Sequence, residues 1–141
     1  MDREEFIRIV EERNAHTAFA SLGIRIVQYD PDALQVALDI DERHLQHHGK
    51  LHGGISALLA ESAASLAAAM SVDLHTHTVA GVDLNATHLR SKQGGSLLAT
   101  AKPIYRGRTT HVYAIDITDE RGELVSTARC TIAIRPHRRE T

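Results

Sequence analysis

Leu51 to Val72 read LHGGISALLAESAASLAAAMSV, a run long and apolar enough for a helix buried on most of its sides. Ile55, Leu58, Leu59 and Leu66 are its larger apolar residues, and alanines fill nearly every other face, so a sheet can approach closely. The helix is expected from Gly53 to Ser71. Glu61 is the only charged side chain between Lys50 and Asp73. A carboxylate in such a place is costly to bury unless it is paired or used. Burial of a carboxyl is also how enzymes prepare one for work near neutral pH. Two roles therefore stand open for Glu61: a reactive carboxylate, or a side chain that snorkels outward or pairs with a base elsewhere.

Working outward, residues 2–14 predict a surface helix with Phe6, Ile9 and Val10 on one face. Leu22 to Val27 and Leu34 to Ile40 predict two strands joined at Asp30-Pro31-Asp32. The polar loop DERHLQHHGK then leads into the long helix. Beyond it the period becomes strand-like over Val79 to Leu89, Ser96 to Tyr105, Thr110 to Thr118 and Leu124 to Ile134. The intervening turns carry Gln93-Gly94-Gly95, Arg106-Gly107-Arg108 and Asp119-Glu120-Arg121-Gly122. In the last strand Ala128, Cys130, Ile132 and Ile134 alternate with Thr127, Arg129, Thr131 and Ala133, which marks a half-buried antiparallel strand. Short glycine-containing turns favour hairpins over parallel crossovers. The expected class is α+β, an antiparallel sheet around one central helix in a single domain, residues 1–141. The tail RPHRRET reads as a solvated, frayed terminus.

Composition narrows the function. A net charge of −2 gives no reason to expect nucleic acid as a partner. The start, MDREEFIRIVEERN, is acidic and amphipathic, unlike a signal peptide. Glu61 and several serines interrupt the most apolar stretch, which makes it a poor membrane span. Cys130 is the only cysteine, so no intramolecular disulfide forms. It reads as a small buried hydrophobe, and the cytoplasm is the expected location. Ten histidines invite a metal reading at His44, His47, His48 and His52, or at His75 and His77. No cysteine or carboxylate spacing completes a zinc site, so no metal is expected.

The helix carries a second chemical feature. Gly53 stands at its N-terminus, where free N–H groups and the macrodipole favour negative charge. That suits the oxyanion of a tetrahedral intermediate, although Gly-Gly also serves tight packing. Ser65 lies one turn beyond Glu61 on the same face, placed either to orient Glu61 or a water, or to bond back to its own helix. Gly53 and Glu61 are eight residues apart, about 12 Å along the axis. A Glu side chain cannot close that gap. If both serve one carbonyl, they come from different chains, and two antiparallel helices across a two-fold axis supply the arrangement.

The run LQHHGKLHGGISALLAESAASLAA resembles the hotdog-fold acyl-CoA thioesterases, in the glutamate-using branch typified by 4-hydroxybenzoyl-CoA thioesterase. Relatives in that branch act on 1,4-dihydroxy-2-naphthoyl-CoA, belong to the phenylacetate pathway, or proofread aryl carrier proteins. The matched pattern is Gln46, His52-Gly53-Gly54, Glu61 and Ser65, with agreeing spacings. GVDLNATHLR and PIYRGRTTHVY also look like strands of that branch.

The resemblance implies a hotdog fold, with the sheet wrapped around the central helix, and hydrolysis of an aryl- or other bulky acyl-CoA to free acid and CoA. Glu61 would attack the thioester or activate water, and the Gly53 N–H would polarise the carbonyl. Gln46 would contact the acyl group or the water, His52 would shape the oxyanion site, and Ser65 would assist beside Glu61. His88, Arg90, Arg106, Arg108 and Thr109 look like CoA-contacting positions, although an Arg on the surface is commonly just solvated. No cofactor is implied, since CoA is part of the substrate. The family forms homodimers that pair into homotetramers. Two other readings remain: a carrier-protein proofreading thioesterase, and a non-catalytic acyl-CoA-binding module. The full set Gln46, Glu61 and Ser65 disfavours the latter.

Overall fold

Leu59, Ala60, Ala63, Ala64, Ala67 and Ala68 are wholly buried and form one stripe along helix α3 (Gly53–Met70). The computed structural model describes residues 1–138, and this stripe explains its architecture. Methyl-sized side chains let an antiparallel sheet close onto the helix, and the strands contribute the bulk. Leu34, Val36 and Leu38 point inward from β2 (Leu34–Asp39), Leu97, Ala99 and Ala101 from β4 (Ser96–Arg106), and Tyr113, Ile115 and Ile117 from β5 (Thr110–Asp119). From β6 (Leu124–Pro136) come Ala128, Cys130, Ile132 and Ile134. The period-2 alternation read from the sequence is thus the alternation of the pleat. The six strands run in the order β1-β2-β4-β5-β6-β3, with β1 at Arg25–Gln28 and β3 at His77–His88, and every pairing is antiparallel. The expected class and the helix-in-sheet arrangement of the hotdog fold are what the structure shows.

The other face of α3 departs from expectation. Ala57, Leu58, Glu61, Ser62, Ser65 and Leu66 are only half-buried. A single sheet covers a single side of a helix, so alanine all round does not mean burial all round in one chain. By length and composition α3 is apolar enough to cross a membrane; here it packs against β2, β3, β4, β5 and β6.

Helix α1 (Arg3–Asn14) begins at Asp2, whose carboxylate accepts the Glu5 N–H at 2.8 Å, and buries Phe6 and Val10 against Ala69. The first expected strand is shorter than predicted. Residues Ala18–Ser21 form a helical turn, α2, and Gly23 at φ +71° closes it by donating its N–H to Ala20 O. Strand β1 therefore starts at Arg25 and not at Leu22. At the far end Arg135 and Pro136 belong to β6, and the His137 N–H donates to Thr76 O at 2.8 Å. Residues 135–137 are thus held where a frayed tail was expected, and residues 139–141 of that expectation lie outside the described residues.

The end of the sheet that faces the start of α3 is held by an ionic cluster. Lys92 Nζ lies 2.9 Å from Glu120 Oε1 and 3.4 Å from Asp119 Oδ2, with the Lys92 side chain only 13% exposed. The Glu120 carboxylate folds over Gly95, where a side chain would collide with it, and accepts the Ser96 N–H. The Lys92 carbonyl in turn accepts the Leu51 N–H at 2.7 Å, two residues before α3. Burial would raise the Asp119 carboxyl, but the N–H groups of Glu123 and Arg121 and the Lys92 ammonium hold it below its usual range. The hydrogen bond from Lys92 and two backbone N–H donors lower Glu120 from 4.5 to about 2. A depressed carboxyl adds stability above its unfolded pKa and loses it as pH falls through the folded value. Wild type should therefore lose its advantage over Glu120→Gln between pH 4.5 and about 2. Denaturant midpoints at pH 6, 4 and 3 check this. A difference that stays constant across the series would refute it.

Candidate active site

Residues 41–52 are folded by their own polar groups. Asp41 caps a 3-10 turn, Glu42–His44, by accepting the Arg43 N–H at 2.9 Å. His44 is completely buried. Its Nδ1 accepts the Asp41 N–H at 2.9 Å, and its Nε2 lies 2.7 Å from Leu22 O. One partner only donates and the other only accepts, so His44 is the neutral tautomer with its proton on Nε2. Its backbone carbonyl accepts the His52 N–H at 2.8 Å. Gly49, at φ +77°, closes the tight turn in which the Gln46 N–H meets Lys50 O at 2.7 Å. The loop is thereby bolted to the end of α2 and sets Gln46 and Gly53 side by side. Both ring nitrogens of His44 are occupied, and His52 Nδ1 accepts the Gly54 N–H at 2.8 Å. Among the described residues no group of His, Cys, Asp or Glu is arranged to hold a metal ion.

A cavity of about 330 Å³ opens at this helix end, lined by Gln46, Gly53, Ser56, His88 and Arg90 with their neighbours. The Gln46 side-chain oxygen accepts the His48 N–H, which leaves its NH₂ group to donate elsewhere. Among the described residues the Gly53 N–H has no acceptor. The His88 ring lies over Gly53 so closely that any side chain there would strike Nε2 and Cδ2. Behind it, His88 Nδ1 is 3.1 Å from Ser126 Oγ, and that buried hydroxyl donates to Thr87 O at 3.0 Å. Arg90 reaches Glu123 at 3.4 Å, with both side chains about half exposed.

A second cavity of about 550 Å³ lies farther along α3, lined by Glu61, Ser62 and Ser65 and by Asn14, Phe19, Leu58, Leu66 and Leu84. Glu61 is half-buried and has no basic partner among the described residues, so the ion-pair role left open for it is not the one observed. Its carboxylate rests against the backbone of Gly81, where a methyl group would overlap Oε1. Gly81 precedes a bulge in β3, between Gly81 and Asp83, and bulges re-aim strands beside functional groups. On the neighbouring β6 the buried Cys130 thiol is pushed up to about 11, by burial first and then by the carboxylates of Glu61 and Asp83. It is therefore an un-ionised core group, as its strand position suggests.

Within one chain the matched residues thus fall into two sets. Gln46, Gly53, His88 and Arg90 share the first cavity, and Glu61 and Ser65 the second. His52 caps α3 and lines neither. Arg106, Arg108 and Thr109 sit on the β4–β5 turn, outside both. Arg106 is committed to Asp32 at 2.8 Å and to Pro31 O, whereas Arg108 has no acidic partner among the described residues. Sequence reasoning did not single out Gly81, Ser56 or Ser126, and it read His44 only as a metal candidate and not as the buried anchor of the loop. A serine at an inward strand position and a histidine one turn before a glycine loop were the available signals for the last two.

Known proteins give a consistent picture. The family model described as "Thioesterase superfamily" matches residues 48–126. The chain is 44% identical over 119 residues to 1,4-dihydroxy-2-naphthoyl-CoA hydrolase of Listeria monocytogenes, covering 84% of this chain and 96% of that protein. It is 42% identical over 119 residues to the putative esterase ComA2 of Bacillus subtilis, covering 84% and 94%. Among solved structures, a mutant thioesterase of Pseudomonas aeruginosa superposes with a TM-score of 0.88 at 34% identity, covering 97% of this chain and 96% of that one.

Proposed function

This chain belongs to the thioesterase superfamily, and from that membership we propose that it hydrolyses an aryl- or other bulky acyl-CoA to the free acid and CoA. The observation that carries the mechanism is the separation of the two cavities along α3. One offers donors, the Gly53 N–H and the Gln46 NH₂ group; the other offers a carboxylate without a counter-ion among the described residues. In the proposed site they face each other across a two-fold axis. The thioester carbonyl oxygen lies at Gly53 of one chain, and Glu61 of its partner takes a proton from water or attacks the carbonyl carbon itself. Charge develops on the oxygen, where the unbonded N–H and the helix N-terminus stabilise it. When Glu61 acts as base, the water it deprotonates adds to the carbonyl carbon, the C–S bond breaks, and the departing CoA thiolate takes up the proton from Glu61. When Glu61 itself attacks, the C–S bond breaks to leave an acyl–Glu61 anhydride, which water then cleaves to free the acid and restore the carboxylate. Ser65 supports the water beside Glu61.

The open face of α3 and the edge position of β3 support the dimer. Strand β3, His77–His88, ends the sheet with no neighbour on its outer side among the described residues, and such an edge invites a second copy. Pairing of dimers into a tetramer and a cytoplasmic location complete the proposal. The apolar lining of the Glu61 cavity, with Phe19, Leu58, Leu66 and Leu84, and its breadth favour a bulky acyl group. For CoA, His88 and Arg90 stand at the mouth of the Gly53 cavity, and Arg108 and Thr109 are exposed for its phosphates. Arg106 then acts mainly by holding the β4–β5 turn against Asp32.

A hydrolysis screen over aryl-, branched- and linear-acyl-CoAs with thiol detection tests the activity. Glu61→Gln should keep the fold and lower kcat at least ~10²-fold, the smallest effect expected of a lone acid–base group. Near-normal turnover would remove Glu61 from the chemistry.

Mixing tests the two-chain site. Inactive Glu61→Gln and inactive Gln46→Ala should form heterodimers with one intact site, restoring about a quarter of wild-type activity at equal ratio if subunits exchange freely. Verified heterodimers as inactive as both parents would rule it out.

Gly81→Ala separates packing from chemistry. The overlapping atom is the tip of a flexible side chain, so the fold should accommodate the methyl group with little change in denaturation midpoint. The displaced carboxylate should lower kcat by ~10-fold or more. Unchanged kcat would show that the contact with Gly81 does not place Glu61.

A further inference from the structure

The Ser126–His88 pair assigns a role that the matched motif does not contain. A serine hydroxyl has one proton, and that of Ser126 is given to Thr87 O. Toward His88 the hydroxyl can then only accept, so His88 Nδ1 carries a proton, and in the neutral ring Nε2 is bare. Ser126 is wholly buried on β6, in register with His88 of β3, so no water competes for this arrangement. Nε2 points to the Gly53 side of the cavity, 2.7 Å from where a side chain of Gly53 would begin. The nearby groups named above, the Gly53 N–H and the Gln46 NH₂ group, are donors, as is the Arg90 guanidinium. His88 Nε2 is a fixed acceptor among them.

A thioester carbonyl at Gly53 does not need an acceptor, but the arm that follows the sulfur does. In CoA and in carrier-protein thioesters the sulfur is followed by two methylenes and an amide N–H. We propose that Ser126 is a positioning residue that holds His88 in the Nδ1–H tautomer, and that the bare Nε2 accepts the first amide N–H of the substrate's pantetheine-type arm. The site thus distinguishes a biological thioester from a simple alkyl one beside the reacting bond, far from any phosphate. This rests on the thioester-hydrolase reading above.

The test compares the benzoyl thioester of N-acetylcysteamine, which carries that amide, with S-butyl thiobenzoate, which lacks it. The readout is the ratio of their kcat/KM values, which a general loss of stability would not move. Ser126→Ala should lower the ratio about two- to tenfold, the range that one neutral hydrogen bond supplies. Ser126→Thr, which restores the hydroxyl, should return it toward wild type. Long-range ¹H–¹⁵N spectra of the wild-type imidazole should show the proton on Nδ1. An unchanged ratio in Ser126→Ala, or a proton on Nε2 in wild type, overturns the inference. If Ser126→Ala does not fold, His88→Phe at its exposed position supplies the same comparison, and an unchanged ratio there is equally fatal. Wild-type protein that hydrolyses neither ester brings down the thioester-hydrolase reading, and this inference with it.

Discussion

The fixed rise of an α-helix governs how this molecule can work. Gly53, whose N–H has no acceptor among the described residues, and Glu61 are eight positions apart on α3, a span of about 12 Å that the Glu61 side chain cannot cross. A helix end and a helix middle cannot share a reacting atom within one chain. The distribution of cavities obeys this limit: the donors line one, the carboxylate the other. The sheet covers the alanine stripe of α3 and leaves the Glu61 face open, and the bulged β3 brings Gly81 beneath the carboxylate. Each of these features fits the proposed site, in which a second chain completes the open face.

Around that rod, rigidity is concentrated where a donor must be placed. The loop before Gly53 has no strand or long helix of its own, yet it is fastened from both sides. His44 locks it to Leu22 O and to the Asp41 N–H, and Lys92 receives the Leu51 N–H while its ammonium is held by Glu120 and Asp119. Buried polar groups with all partners satisfied specify one arrangement well, because any other leaves a donor or acceptor unpaired. The Glu61 side is looser: a side chain against a glycine, in an apolar cavity, with no counter-ion among the described residues. In the proposed dimer, a fixed donor facing an adjustable carboxylate suits a reaction in which the carboxylate must act on more than one atom.

Much of this was legible because the strongest signals are periodic. Alternation in β6 and the alanine run of α3 fix those elements to within a residue or two, since burial imposes the period. The spacing from Gln46 through Gly53 and Glu61 to Ser65 marked residues that the structure does place at cavities. What escaped is non-periodic or long-range. Helix α2 is four residues long, too short to show a period, and only Gly23 after it signals an end. Arg106 looked like one of a set with Arg90 and Arg108 until its partner, 74 residues away, appeared at Asp32. Ser126 read as an ordinary inward strand residue because its meaning lies in the histidine across the β6–β3 ladder.

The two-cavity arrangement also bears on how such a gene can change by duplication. In two fused copies, each site of the proposed kind would draw its donors from one repeat and its carboxylate from the other. One repeat could then lose Glu61 while the other lost Gly53, and one intact site would survive. The released cavities, still shaped by the same helix and sheet, would be free to acquire other ligands.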